Sequence, residues 1–105
     1  MTAMHNGLVT LFAALANQGI AVVAWYEHDH AIGLVVAGGH VIEVERRRAC
    51  GEPLVVADML AQYLPRRPVP REYDPSGVPE IAPSTARWWE FLRWYRSERC
   101  EGVKR

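Results

Sequence analysis

The sequence predicts an α+β fold: a three-stranded antiparallel meander lies between two helices, and a proline-rich arm and a C-terminal helix follow. Apolar residues recur with helical spacing near the N-terminus and again after Pro53, whereas β-branched and aromatic residues fill the stretch between. Six of the seven prolines lie within residues 65–83. We therefore expect a compact domain over residues 1–64, an extended linker over 65–83, and a helix and tail over 84–105.

The first helix is predicted over residues 7–18. Asn6 can cap its N-terminus, and Gly19 suits the left-handed conformation that commonly ends a helix. Its apolar stripe consists of Leu8, Leu11, Phe12 and Leu15. This stripe should face the core.

Three short strands are predicted after Ile20, in the segments IAVVAWYE, IGLVVA and HVIEVERR. The segment HDHA can form the first turn, and Gly38 and Gly39 can supply the positive φ angles of the second. Alternation places Ile20, Val22, Ala24 and Tyr26 on one face of the first strand, and Val23 and Trp25 on the other. On the third strand it places Ile42 and Val44 inward, and Glu43 and Glu45 outward.

The second helix is predicted to begin at Pro53, since the first helical amides have no partner to lose, and to end before Pro65. Its apolar stripe consists of Val56, Leu60, Tyr63 and Leu64. Both helices should cover one face of the sheet. The α-β-β-β-α order resembles the double-stranded RNA-binding domain, a family that grips phosphates with lysines at the start of its second helix. The corresponding stretch here, GEPLVVAD, has no Lys or Arg, so the resemblance is one of topology.

The C-terminal segment STARWWEFLRWYRSER holds three of the four tryptophans. Ser84 or Thr85 can cap a helix that runs to about Arg99, with one stripe formed by Trp88, Phe91, Leu92 and Tyr95. Trp89 and Trp94 lie off this stripe. They either complete a broad packed face or anchor a partner, since Trp and Arg dominate binding hot spots. In the second case Arg87, Arg93 and Arg96 contact the rim of the partner surface.

Charge is distributed unevenly along a chain whose formal net charge is zero. Residues 1–45 hold four acidic residues and no Lys or Arg, so all twelve basic residues lie after them. Two arginine clusters are candidates for nucleic-acid contacts, and they comprise Arg46, Arg47, Arg48, Arg66, Arg67 and Arg71. Nearby acids would blunt their field, so nucleic-acid binding is the alternative hypothesis rather than the first.

Metal and catalytic motifs are sparse. His28 and His30 project to the same side of a strand and could bind a metal together with His40 or His5, but no familiar ligand spacing is completed. The sequence contains no GxGxxG, GxxxxGK[ST], GxSxG or HExxH motif. We expect no cofactor, no metal site and no enzymatic activity.

These observations predict a small cytoplasmic protein, without a membrane span, that regulates or inhibits another protein or a nucleoprotein complex. Motif-free single domains of this length are typical of phage and mobile-element inhibitors of host defence, such as anti-CRISPR proteins. If the Trp-rich helix packs against a second copy of itself, a homodimer follows. The sequence does not decide whether Cys50 and Cys100 pair.

Overall fold

Helix α1 (Ala3–Asn17) leads into three antiparallel strands, β1 (Val22–His28), β2 (Ala31–Val36) and β3 (His40–Glu45), which lie side by side in the order β1-β2-β3. Two helices follow, α2 (Arg46–Gly51) and α3 (Pro53–Ala61). A computed structural model describes residues 3–82, and side chains from residue 6 onward. The predicted α+β class and the antiparallel meander are confirmed.

Helix α1 buries the predicted stripe, since Leu8, Leu11, Phe12 and Leu15 are all at most 2% exposed. Its predicted start is wrong. The helix begins at Ala3, so Asn6 is an internal residue whose carbonyl oxygen accepts a hydrogen bond from Thr10 Oγ1 at 3.0 Å. Gly19 has a φ of 84°, as expected of the left-handed residue after a helix.

Strand β1 carries a β-bulge that overturns the predicted division of its side chains. Val22 pairs with Val36, but Ala24 pairs with Val35, so Val23 is an extra residue in the strand. As a result Val22 and Trp25 both enter the main core beneath the helices, while Ala24 belongs to a separate cluster on the other face. The assignment of Ala24 and Tyr26 to the face of Val22 is therefore wrong.

Strand β3 confirms the predicted alternation but ends earlier than expected. Ile42 and Val44 pack against the core, and Glu43 and Glu45 are exposed. The chain then turns into helix α2 at Arg46 instead of continuing as a strand. Arginine and alanine favour helix, and the single buried residue of α2, Ala49, is 0% exposed.

Helix α3 begins at Pro53 as predicted, and Val56, Leu60 and Leu64 are buried. Tyr63, the fourth member of the predicted stripe, is 75% exposed and lies beyond the end of α3 at Ala61. All three helices pack on one face of the sheet, which becomes the inner face. Within residues 3–82, no helix has both the length and the apolar character that crossing a bilayer requires.

The proline-rich arm after Pro65 runs along the free edge of β1. Its path is fixed first at Gly19, whose carbonyl oxygen accepts a hydrogen bond from the Arg67 amide at 2.8 Å. After a 3₁₀ turn at Pro75–Gly77, Glu80 forms a parallel bridge with Trp25. An arm of this composition suits an edge position, because proline lacks the amide hydrogen that a central strand must donate.

Candidate interaction surfaces

The outer face of the sheet carries a small apolar cluster of its own. Ala24 and Val35 are 1% exposed, and three partly buried residues pack against them: Val23, Val41 and Ile81. Ile81 belongs to the arm, and its amide nitrogen donates a hydrogen bond to the Trp25 carbonyl oxygen at 2.8 Å. Within the described part of the chain, no helix packs against this cluster.

Tyr26, Gly33 and Glu43 form a row across the three strands on this outer face. Gly33 is paired with both of the others, and a Cβ on Gly33 would collide with the ring of Tyr26. The ring therefore lies over the glycine, and its hydroxyl donates to Glu43 Oε2 at 2.8 Å. Burial, reinforced by the hydrogen bond to Glu43, raises the pKa of Tyr26 well above its ordinary value. Tyr26 thus stays protonated and serves as a hydrogen-bond donor.

The solvent face of α3 is unusually apolar. Leu54 and Val55 are 61% and 54% exposed, and Tyr63 lies beyond the end of the helix at 75%. Together with the partly buried Met59, these residues define what we call the α3 apolar surface. The sequence carried a signal for it, since Leu54, Val55 and Val56 are consecutive and one face of a helix cannot bury all three.

A shallow groove separates α1 from the arm. It encloses a cavity of about 130 Å³ between Phe12, Trp25 and Val78, with Ser76 and Glu80 on its polar side. Ligand sites for small molecules are usually several times larger, so this cavity fits no more than one side chain. The Ser76 hydroxyl donates to Asp74 Oδ1 at 2.7 Å and thereby stabilises the 3₁₀ turn.

The first arginine cluster lies at the junction of β3 and α2. Arg46 Nη1 lies 3.3 Å from Glu27 Oε2, and Arg48 Nε lies 3.7 Å from Glu52 Oε1. Arg47 is exposed and forms no salt bridge within residues 6–82. Two of the three guanidinium groups therefore already have acidic neighbours.

The second arginine cluster lies on the arm, at the opposite end of β3. The Arg67 guanidinium lies beside Gly38, in the turn that precedes the strand. Arg66 and Arg71 are exposed, like Arg67, and none of the three has a salt bridge to another described residue. The six residues of β3 span about 20 Å, so the structure does not bring the two clusters into one patch.

The candidate metal ligands are also separated. His28 ends β1, and His30 lies in the turn that follows it, where His28 Nε2 is 3.9 Å from Asp29 Oδ2. His40 begins β3 at the other end of the sheet, so it is not a third ligand for this pair. Among the side chains of residues 6–82, no group of three His, Cys, Asp or Glu residues could hold a metal ion.

Cys50 is a partly buried free thiol on α2. Burial raises its pKa, and the opposing field of Arg46 does not cancel that effect. The thiol form therefore dominates at neutral pH, which makes Cys50 a poor nucleophile. Its backbone has a structural role instead, because it lies directly against Gly7 of α1.

The five residues predicted to contact a partner, Arg87, Trp89, Arg93, Trp94 and Arg96, lie outside the described residues, as does the predicted C-terminal helix. Comparison with known proteins identifies no relative: no protein-family model, no curated protein and no solved structure matches this chain. The case for a function therefore depends on the chemistry of the surfaces themselves.

Proposed function

We propose that this protein acts without catalysis, by binding another protein in the cytoplasm as a regulator or inhibitor. The observation that supports the proposal is the α3 apolar surface. Leu54, Val55 and Tyr63 are each more than half exposed, on α3 or just beyond its end. Exposed large apolar side chains grouped on one element in this way are typical of surfaces that become buried in a complex.

The C-terminal segment supplies the second part of the proposal. Trp89 and Trp94 act as the anchors, because large rigid indole rings bury much area at little cost in conformational entropy. Arg87, Arg93 and Arg96 then form charge-assisted hydrogen bonds around them. Such a combination of a desolvated aromatic centre and a polar rim is common in protein interfaces.

The proposal is tested by co-purification from the native host with three variants of the full chain. One variant, Trp89→Ala/Trp94→Ala, removes the anchors. The second, Leu54→Ser/Val55→Ser/Tyr63→Ser, removes the α3 apolar surface. The matched control is His28→Ala/His30→Ala, which changes exposed polar residues in the first turn.

We expect the same partner protein to be recovered with the wild type and the control, and to be lost with at least one of the other two variants. Retention by every folded variant would reject the proposal. A partner that is nucleic acid, held with an affinity that falls steeply between low and physiological salt, would favour the arginine clusters instead.

A further inference from the structure

We infer that the outer edge of β3 binds an extended segment of another protein, in which basic and apolar residues alternate, as an added strand of the sheet. In this mode of recognition, main-chain hydrogen bonds give affinity and alternate side chains give specificity. The inference shares with the proposed function only the premise that the partner is a protein. It uses neither the α3 apolar surface nor Trp89 and Trp94, so either proposal can fail while the other holds.

The edge of β1 shows how this fold covers the outer side of a strand. Backbone groups of alternate residues point away from β2, and on β1 these residues include Val22 and Trp25. The Tyr73 hydroxyl bonds to both backbone groups of Val22. The Trp25 amide donates to the Pro79 carbonyl oxygen at 3.1 Å, and the Trp25 carbonyl oxygen accepts from the Ile81 amide. The arm therefore takes the place of a fourth strand at this edge.

The edge of β3 has no such cover among the described residues. The Arg46 amide donates to the His30 carbonyl oxygen at 2.8 Å, which fixes the alternation along the strand pair. Even-numbered residues of β3 bond to β2, whereas Val41 and Glu43 direct their backbone groups away from it. Within residues 6–82, neither of these residues has a partner for its amide or carbonyl group. Two donors and two acceptors are thus available to a further strand.

The inner face of β3 determines which positions of the partner are apolar. Ile42 and Val44 pack against the core but are only partly buried, whereas the β2 residues opposite them, Leu34 and Ile32, are 0% exposed. Residues directly opposite each other in a strand pair share a face. An added strand with an apolar residue at every second position would therefore complete the burial of Ile42 and Val44.

The outer face determines the residues between these apolar positions. Glu43 and Glu45 are exposed, and neither forms a salt bridge within residues 6–82. The Tyr26 hydroxyl binds Oε2 of Glu43, which leaves Oε1 for a cation on a neighbouring strand. Opposite charges across a strand pair are stabilising and like charges are destabilising. Lysine or arginine therefore fits here, whereas a second copy of β3 would bring its own carboxylates beside these.

Amide hydrogen exchange in the full chain tests the edge directly. In the free protein, the Val41 and Glu43 amides should exchange at least about tenfold faster than those of Ile42 and Val44, which bond to β2. The probe is a heptapeptide in which lysine and valine alternate, and at saturation it should slow Val41 and Glu43 by a similar factor. The same peptide with proline at its centre is the control, because proline lacks the amide that strand pairing uses. It should leave both amides unchanged.

Two matched variants test the charge of the partner. Glu43→Gln/Glu45→Gln removes both carboxylates but keeps an acceptor for Tyr26, so affinity for the lysine–valine peptide should fall by roughly threefold to tenfold. Glu72→Gln/Glu80→Gln makes the same charge change at exposed positions on the arm, and it should bind the peptide like the wild type.

Each of four results would overturn the inference. Slow exchange of Val41 and Glu43 in the free protein would show that the edge is already covered, and no slowing by the peptide would reject strand pairing. Equal affinity for a heptapeptide of alternating glutamate and valine would reject a basic partner. Protection that rises with protein concentration in the absence of peptide would identify a second copy of the chain as the occupant.

Discussion

The hydroxyl of Tyr73 contacts both backbone polar groups of Val22. It donates to the Val22 carbonyl oxygen at 2.8 Å and accepts from the Val22 amide at 3.2 Å. Val22 begins β1 next to the bulge, and β1 is an outer strand of the three-stranded sheet that the described residues form. One side chain of the arm therefore satisfies a donor and an acceptor that an edge strand would otherwise leave unpaired.

Replacing Tyr73 with Phe should destabilise the domain by about 1–3 kcal/mol, because a partly buried amide and carbonyl both lose their partner. The free energy of unfolding in urea measures the effect. Tyr63→Phe is the matched control and should leave stability unchanged, since that ring is 75% exposed. Equal stability of Tyr73→Phe and the wild type would show that water replaces the hydroxyl at no cost.

Stability should also fall at high pH through the same residue. Burial raises the pKa of Tyr73 from 10.0 to about 12, against the opposing hydrogen bond from the Val22 amide. Because the folded state favours the protonated phenol, its contribution is complete below pH 10 and is lost as the pH rises toward 12. Urea unfolding at a series of pH values in this window should show a falling free energy of unfolding. The slope should be smaller in Tyr73→Phe, and identical slopes in the two proteins would contradict the assignment.

Gly7 allows α1 and α2 to approach closely. A Cβ at this position would lie 2.5 Å from the Cys50 carbonyl oxygen and 2.8 Å from the Cys50 Cα. Gly7→Ala should therefore destabilise the domain by roughly 1–3 kcal/mol, despite the better helix propensity of alanine, because backbone atoms must move apart. Gly51→Ala is the control, since nothing lies within 4 Å of its Cβ. In thermal unfolding, Gly51→Ala should have a higher melting temperature than Gly7→Ala. The reverse order would show that Gly7 is not needed for the close contact between α1 and α2.

Local patterns in the sequence were sufficient to predict much of this fold. The α1 stripe and the turn at Gly38 and Gly39 depend on residues near one another in the chain, and both are confirmed, with φ angles of 102° and 92° at the two glycines. The bulge at Val23 was not predictable in this way, because it depends on which residue of β2 lies opposite. The contact between Tyr73 and Val22 joins residues 51 positions apart, and no local pattern specifies it.

The candidate surfaces likewise include features that local sequence patterns predict and features that depend on long-range contacts. The outward positions of Leu54 and Val55 follow from three consecutive apolar residues in a helix, of which the predicted stripe includes only Val56. The predicted stripe also includes Tyr63, but α3 ends at Ala61, and helical spacing no longer determines burial beyond that point. The Trp-rich segment stands out from composition alone, yet its position relative to the sheet depends on long-range packing, which composition does not encode.

The first hairpin offers a test of backbone strain. Asp29 has a φ of 55°, the one positive value for a residue other than glycine within residues 3–82. Asp29→Gly should leave stability nearly unchanged, whereas Asp29→Val should be less stable by about 1–2 kcal/mol, since a β-branched side chain clashes in the left-handed region. His30→Val, at the exposed neighbouring position with a negative φ, controls for the loss of polarity and should have little effect. The free energy of unfolding in urea, measured for the three variants, tests this prediction. Equal stability of Asp29→Gly and Asp29→Val would mean that the turn adopts another backbone conformation.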